Sequence, residues 1–296
     1  MGVVDSNAHG SSNVVISHLQ AVGYKSVEFI ILSHPHRDHY SGLVPLLKYC
    51  MESKTRVKWF IHTCKNVHAY LRSFSVPFND QRTLDQVFVS ARALRQAGLL
   101  EDSFDVDQHF AVTLADGVKM RFLAPSTDEY ESFIRSLYQD SELTPKRPNE
   151  NLLSTVIILQ TKDWYSLLTS DTERHVLKSV GQRKLRRDWR PMLLGQVPHH
   201  GSIHNYSSGF WKNRVHEPGT PVAISVGPNT HGHPSTEVIE KLMEIQFDVQ
   251  TTYTEPVPTP NIDVHLMLAL DVISKPKKTG SYGRDLIFDL LPDNGN

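Results

Sequence analysis

The sequence predicts an α/β fold, and three observations carry the prediction. Short apolar runs rich in β-branched residues alternate along the chain with segments whose apolar residues recur at helical spacing. Several of those runs stop abruptly at histidine or aspartate, as strands do when they deliver side chains to a common sheet edge. The chain has 296 residues, 39% of them hydrophobic and 21% charged, enough to bury a substantial core. No internal repeat or linker interrupts it, so a single domain over 1–296 is expected.

Taken in order, VVDS at 3–6 reads as a short strand emptying into a polar turn over 7–13. Segment 14–22 places Val15, Ile16, Leu19 and Val22 on one helical face, with Gly23 as a stop. The run Phe29-Ile30-Ile31-Leu32 is a buried strand and leads into IILSHPHRDHYSG at 30–42. A helix over 43–51 and a strand over 57–61 follow. Segment 84–97 is helical and ends at Gly98, and 110–123 is a hairpin whose return strand stops at Pro125. The stretch 126–151 divides into a helical half (Tyr130, Phe133, Ile134, Leu137) and a polar loop, TPKRPNEN at 144–151. Strands are expected at 152–160, 164–168, 192–197 and 221–226, and helices at 173–180 and 236–245. Two last strands, 261–274 and 284–291, complete the second sheet.

The chemistry begins at His34, His36, Asp38 and His39. Residues two apart in an extended segment share a side, so His34 and His36 can grip one ion while Pro35 restricts the backbone between them. Asp38 and His39 fall past the strand end, free to turn toward a second ion. A histidine-rich surface loop is the plainer alternative. Asp171 ends another apolar strand and is a candidate metal-bridging ligand, with capping of helix 173–180 as the alternative. Strand 192–197 leads to Pro198-His199-His200-Gly201-Ser202, and strand 221–226 to a turn holding His231, Gly232, His233 and Pro234. For His62 and Cys64 a core or strand-end role outweighs a zinc pair, because no second pair of ligands lies close by.

Composition excludes some classes. With 31 Lys and Arg against 32 Asp and Glu, no global field draws the protein to nucleic acid or membrane, so polyanion binding must be local. RKLRRDWR at 183–190 is the one dense basic run; it reads as a solvated face or, through Arg186, Arg187 and Trp189, as a phosphate-backbone contact. Two cysteines, Cys50 and Cys64, are too few for a disulfide framework, and no stretch approaches a membrane span. A cytoplasmic location without membrane attachment is expected. The start, Met1-Gly2, fits an acylation pattern, but Val3-Val4-Asp5 reads better as a strand end.

His34-Pro-His36-Arg-Asp38-His39 resembles the HxHxDH signature of the metallo-β-lactamase superfamily. With Asp171, HHGS at 199–202 and GHP at 232–234, the chain resembles more narrowly the metallo-β-lactamase-like domain of bacterial DNA-uptake competence proteins, from Val3 to about Leu242. The resemblance implies a four-layer αββα metallo-β-lactamase-like sandwich of two mixed sheets, here lacking the usual N-terminal hairpin. An exposed sheet edge invites pairing, so a homo-oligomer or a protein complex is expected. The resemblance also implies two divalent ions, Zn²⁺ or Mn²⁺. His34 and His36 would hold the first, Asp38 and His39 the second, and Asp171 would bridge. His200, with His199 as the alternative, would complete the second site. Asp5 would hold a ligand imidazole in one tautomer. Asn151 and Ser154 stand where many members of the superfamily place a third histidine on the first metal, which leaves that site open to water and tolerant of Mn²⁺. His233, His231 and Ser202 would face substrate, with Arg186 and Arg187 able to neutralise its charge.

What the resemblance implies is a metal-dependent hydrolase using a hydroxide that bridges two metal ions, with Asp38, Asp171 and His233 in the catalytic set. A phosphodiesterase or nuclease is favoured, acting on nucleic acid or another phosphodiester. A hydrolase of carboxylic esters, lactones or amides is the alternative. A third reading is a subunit of a larger complex in which the fold serves assembly.

Overall fold

In the first sheet every strand is separated from the next by a helix, and so every strand points the same way. β1 (Gly2–Val4), β2 (Ser26–Leu32), β3 (Arg56–His62) and β4 (Leu100–Asp105) pair in that order, each pair parallel. Between them lie α1 (Val14–Val22), α2 (Arg37–Tyr40), α3 (Leu43–Ser53), α4 (Val67–Tyr70) and α5 (Phe78–Gln96). α1 starts where the Asn13 side chain accepts the Ile16 N–H and stops at Gly23, whose φ of 76° no β-carbon favours. This computed structural model describes residues 1–8, 13–114, 117–139, 143–186, 189–227, 229 and 231–252. The strands expected at 261–274 and 284–291 lie outside them.

The second sheet runs β11-β10-β9-β8-β7-β6-β5. Its strands are β5 (Ala111–Thr113), β6 (Lys119–Ala124), β7 (Val156–Gln160), β8 (Tyr165–Leu168), β9 (Met192–Gln196), β10 (Pro221–Ile224) and β11 (Asp248–Thr251). Pairing is antiparallel from β5 through β8 and parallel from β8 to β11, where α7 (Arg174–Arg183), α8 (Ser208–Lys212) and α9 (Thr236–Glu244) supply the crossovers. The expectation of two mixed sheets therefore needs correcting: among the described residues only the second is mixed. The first is parallel because α1, α3 and α5 each return the chain to the same end.

Alternation along the strands builds four layers. Phe29 and Ile31 of β2 and Ile61 of β3 meet Met120, Phe122, Ile157 and Leu159 of the second sheet in an apolar seam between the sheets. The opposite face of the first sheet, with Ile30, Leu32 and Phe60, packs on Leu19, Leu43, Leu46, Leu47, Leu84 and Val87 of the helices. Val156, Ile158, Leu167, Val222 and Ile224 do the same for the second sheet against Leu177, Val180, Trp211, Val238 and Leu242. A fully buried side chain of this kind contributes about 1.5–3 kcal/mol, so the seam and the two outer layers hold the sandwich together. Helices outside two face-to-face sheets make the expected four-layer αββα sandwich.

Several elements differ from the sequence reading: α5 begins at Phe78 rather than at 84, and β11 was not expected. The strand expected at 152–160 begins only at Val156, because Glu150–Leu153 forms a 3-10 turn. β4, reading LEDSFD, escapes an apolar-run criterion because it is a partly exposed edge strand. Among the described residues no helix is long and apolar enough to cross a membrane.

Candidate metal centre

Parallel strands deliver their carboxyl ends to one edge, and antiparallel β7 brings its beginning to that same edge. Asp5 follows β1, and Ser33 and His34 follow β2, with His36, Asp38 and His39 in the turn beyond. Asp171 follows β8, His199 and His200 follow β9, and His231 and His233 lie past β10. Glu150 and Asn151 stand just before β7.

The centre is Oδ2 of Asp171, a residue only 3% exposed. Around it lie His39 Nε2 at 3.5 Å, His200 Nε2 at 3.8 Å, and His34 Nε2 and His199 Nδ1 at 3.9 Å. His34 Nε2 is 3.1 Å from His36 Nδ1, and Asp38 Oδ2 is 3.1 Å from His200 Nε2 and 3.6 Å from His39 Nε2. Two donor groups result, His34/His36/Asp171 and Asp38/His39/His200, each with its atoms within 4.8 Å of one another.

The other nitrogen of each ring is held. His39 Nδ1 is 2.7 Å from Asp5 Oδ2, and His200 Nδ1 is 2.6 Å from the Ser225 carbonyl. Ser33 ties the rest together: its N–H donates to Asp5 Oδ1 and its hydroxyl to Asp5 Oδ2, while Ser170 Oγ donates to Ser33 Oγ and His34 Nδ1 lies 3.1 Å from it. His36 Nε2 faces Glu150 Oε2 at 3.3 Å. Each acceptor fixes the proton on the outer nitrogen and turns the inner one, lone pair first, toward the middle of the site.

A divalent ion fits this arrangement. His39 Nε2 is buried and has no hydrogen-bond partner, an expensive state for a polar atom unless something binds it. Donors of one tetrahedral ion bonded at about 2.0–2.1 Å stand roughly 3.3–3.4 Å apart, close to the 3.1–3.9 Å found among these atoms. Electrostatics agree. Burial pushes the Asp171 and Asp38 carboxyls up, but the surrounding imidazoles outweigh it, holding Asp171 well below the usual range and Asp38 at about 2. Burial likewise lowers His39, yet the Asp171 and Asp5 carboxylates overcome it and raise the ring well above its ordinary range; Asp38 does the same for His200. Carboxylates that protonate their own histidines are short of positive charge, which a cation supplies. His34 is held low by burial and by neighbouring His39.

Backbone strain gathers here too. Among the described residues the non-glycine positions with positive φ are Asp5, Lys54, Ser170, His199, His200 and Gln246; all but Lys54 and Gln246 belong to this site. Such conformations cost on the order of 1–3 kcal/mol each and persist where surrounding contacts impose them. Ser170 is fixed because Gln196 accepts the N–H groups of Thr169 and Ser170, and its carbonyl accepts the His199 N–H. Gly201 continues the left-handed run at φ 80°, and a β-carbon there would meet Pro234 Cβ at 2.7 Å, so the backbone of the HHG turn packs directly on the proline of the GHP turn.

Several anticipated residues stand elsewhere than at the ion-binding atoms. Asn151 Nδ2 is 3.3 Å from His199 Nδ1, whereas Ser154 Oγ is buried without a hydrogen-bond partner. Ser202 is buried, its N–H donating to the His199 carbonyl, so it shapes the turn. His233 lies edge-on to His199 at 5.8 Å between centroids and stacks with exposed His231 at 6.1 Å. Burial, then His199 and His200, lower the His233 ring. Asp171 does not cap α7, whose first turn begins after Glu173. The basic run is carried away from the site: α7 leads from the Asp171 edge and covers about 15 Å before Arg186, and Arg190 bonds the Thr161 carbonyl at the opposite end of β7 and β8. Arg186 and the 73%-exposed Trp189 are thus placed far from the histidines, and Arg187 lies outside the described residues. Among the described residues His62 and Cys64 join no group of metal donors. Glu150, Ser33 and Ser170 were not anticipated; an apolar-run reading passes over polar residues whose role is set only by tertiary contact.

No family profile matches the sequence, and no curated protein does. Among solved structures, the chain is similar to the metallo-β-lactamase fold protein YhfI from Bacillus subtilis, at 10% identity over 84% of this chain and 83% of that one, with a TM-score of 0.43. It is also similar to the E377D mutant of the β-hydroxylase CmlA, at 10% identity over 77% of this chain and 44% of that one, with a TM-score of 0.41. Likeness at this level carries no argument about the site; the donor atoms must speak for themselves.

Proposed function

We propose that the protein is a metal-dependent hydrolase, with phosphodiesters as the favoured substrates. The observation that supports it is one buried carboxylate oxygen, Asp171 Oδ2, shared between two donor groups whose imidazoles are already turned inward. His34 Nε2, His36 Nδ1 and Asp171 would hold one ion; Asp38, His39 Nε2 and His200 Nε2 would hold the other, with Asp171 common to both. Bound divalent ions supply Lewis acidity toward a phosphoryl or carbonyl oxygen and bring the pKa of water toward neutrality. The chain does the remaining work. Asp5, Ser33 and the Ser225 carbonyl keep the rings in one tautomer, and His199 and His233 line the rim, where they can hydrogen-bond a substrate oxygen. The HHGS and GHP resemblance favours phosphodiesters.

A carboxylic ester, lactone or amide is the second reading, and the remote placement of Arg186 keeps it in play by removing a nearby polyanion contact. Purified protein with Mn²⁺ or Zn²⁺ is to be assayed on single-stranded DNA, bis(p-nitrophenyl) phosphate and a lactone panel, beside Asp171→Ala and His36→Ala. Metal-dependent diester cleavage lost in both variants is expected. Cleavage that is absent, or that survives both substitutions, overturns the phosphodiesterase reading; lactone turnover alone transfers it to the second.

A further inference from the structure

We infer that Glu150 is a positioning residue for His36 and through it sets the affinity of the His34/His36/Asp171 group for its ion. The inference rests on the metal reading above and adds to it a carboxylate that no sequence motif pointed to. Glu150 is 2% exposed, a rare state for a glutamate. A buried carboxylate needs partners, and here it has three. Oε2 faces His36 Nε2 at 3.3 Å; Oε1 accepts from the Tyr70 hydroxyl at 2.9 Å and from Arg147 Nε at 3.0 Å. Tyr70 is itself buried at the end of α4, and its one hydroxyl proton lies between Glu150 Oε1 and the Pro35 carbonyl, 3.2 Å away, with the carboxylate the nearer acceptor.

The consequence is directional. With Nε2–H donated to Glu150, the His36 lone pair lies on Nδ1, the atom 3.1 Å from His34 Nε2. A carboxylate on the outer nitrogen also fixes the ring plane of a ligating imidazole. The first group has a use for this: its donors are His34, His36 and Asp171, and of its two rings His34 is tied through Ser33 to Asp5, which leaves Glu150 as the carboxylate on His36. Glu150 also opens the 3-10 turn whose next residue, Asn151, reaches His199, so the same short turn holds rings on both sides of Asp171.

The test is a two-site titration of metal-free protein with Zn²⁺ and with Mn²⁺ by chelator competition, for the wild type, Glu150→Gln and Glu150→Ala, with thermal melting of the metal-free proteins as the folding control. Glu150→Gln keeps shape and an acceptor oxygen where Glu150→Ala risks misfolding. The expected result is a 10–100-fold loss at one of two sites with the other unchanged, and in ¹⁵N spectra of Glu150→Ala a His36 ring that no longer populates a single tautomer. A purely structural role would weaken both sites together or only lower the melting temperature, and that outcome overturns the inference. So do unchanged affinities at both sites. A wild type that binds neither ion overturns the metal reading itself, a result distinct from failure of the Glu150 variants alone.

Discussion

The Nδ1 of His39 lies 2.7 Å from Oδ2 of Asp5, while its buried Nε2, without a partner, is aimed at Asp171. Asp5 reaches His34 as well, because Ser33 donates to it and stands 3.1 Å from His34 Nδ1. One carboxylate therefore orients a ring in each donor group. Asp5→Asn should weaken both ions 10–100-fold, in contrast to the single-site loss expected of Glu150→Gln. Chelator competition measures it, and two unshifted affinities would refute the role of Asp5.

His199 and His200 are adjacent but not equivalent. His200 Nε2 belongs to the Asp38/His39 donor group, and its Nδ1 is held by Ser225; His199 Nδ1 instead faces the Asn151 amide. His200→Ala should abolish binding at one site, with turnover falling at least 100-fold. His199→Ala should leave both affinities within a few fold and lower turnover alone. Equilibrium dialysis with metal analysis decides between them, and the reverse pattern would exchange the two roles.

The convergence of the candidate donors was legible in the sequence wherever a donor follows an apolar run. His34, His36, Asp38, His39, Asp171 and His200 each come within a few residues of a strand end, and parallel pairing gathers such ends at one edge. Glu150 was not legible because it precedes an antiparallel strand from inside a polar, proline-containing loop, which reads as a connection. Arg186 is the opposite case: charge along a chain says nothing about where a helix carries it, and α7 leads from the edge. The same holds for β4, whose polarity reflects its edge position.

His62 gives a pH dependence independent of the metal centre. Its ring sits between Phe60 and Phe88, at centroid distances of 5.7 and 5.0 Å, with Nδ1 buried and unpaired, and burial pushes its pKa down to about 4. The folded state then binds fewer protons than the unfolded state between about 6.5 and 4. Stability must rise with pH across that window; it falls as pH drops from 6.5 and levels off near 4, by on the order of 3 kcal/mol. His62→Phe keeps the aromatic packing and should reduce the slope by up to one proton. Urea midpoints taken from pH 4 to 7 test this, and an unchanged slope would exclude His62 as its source.

Gly201 is the point at which two histidine turns meet. Its φ of 80° follows left-handed His199 and His200, its carbonyl accepts the Ser235 N–H at 3.1 Å, and a β-carbon would stand 2.7 Å from Pro234 Cβ. Backbone and a proline ring occupy that space, so neither can swing aside as a flexible side chain could. Gly201→Ala should cost more than about 1 kcal/mol and move His233 relative to His199, lowering turnover more than metal affinity. Gly209 in α8 is the matched control: nothing lies within 4 Å of its β-carbon position, and alanine is the better helix former, so Gly209→Ala should be neutral or stabilising. Urea denaturation of the two variants side by side, with metal titration of each, separates strain at the turn from a general effect of added methyl groups; equal stabilities would mean that the two turns do not depend on their close approach.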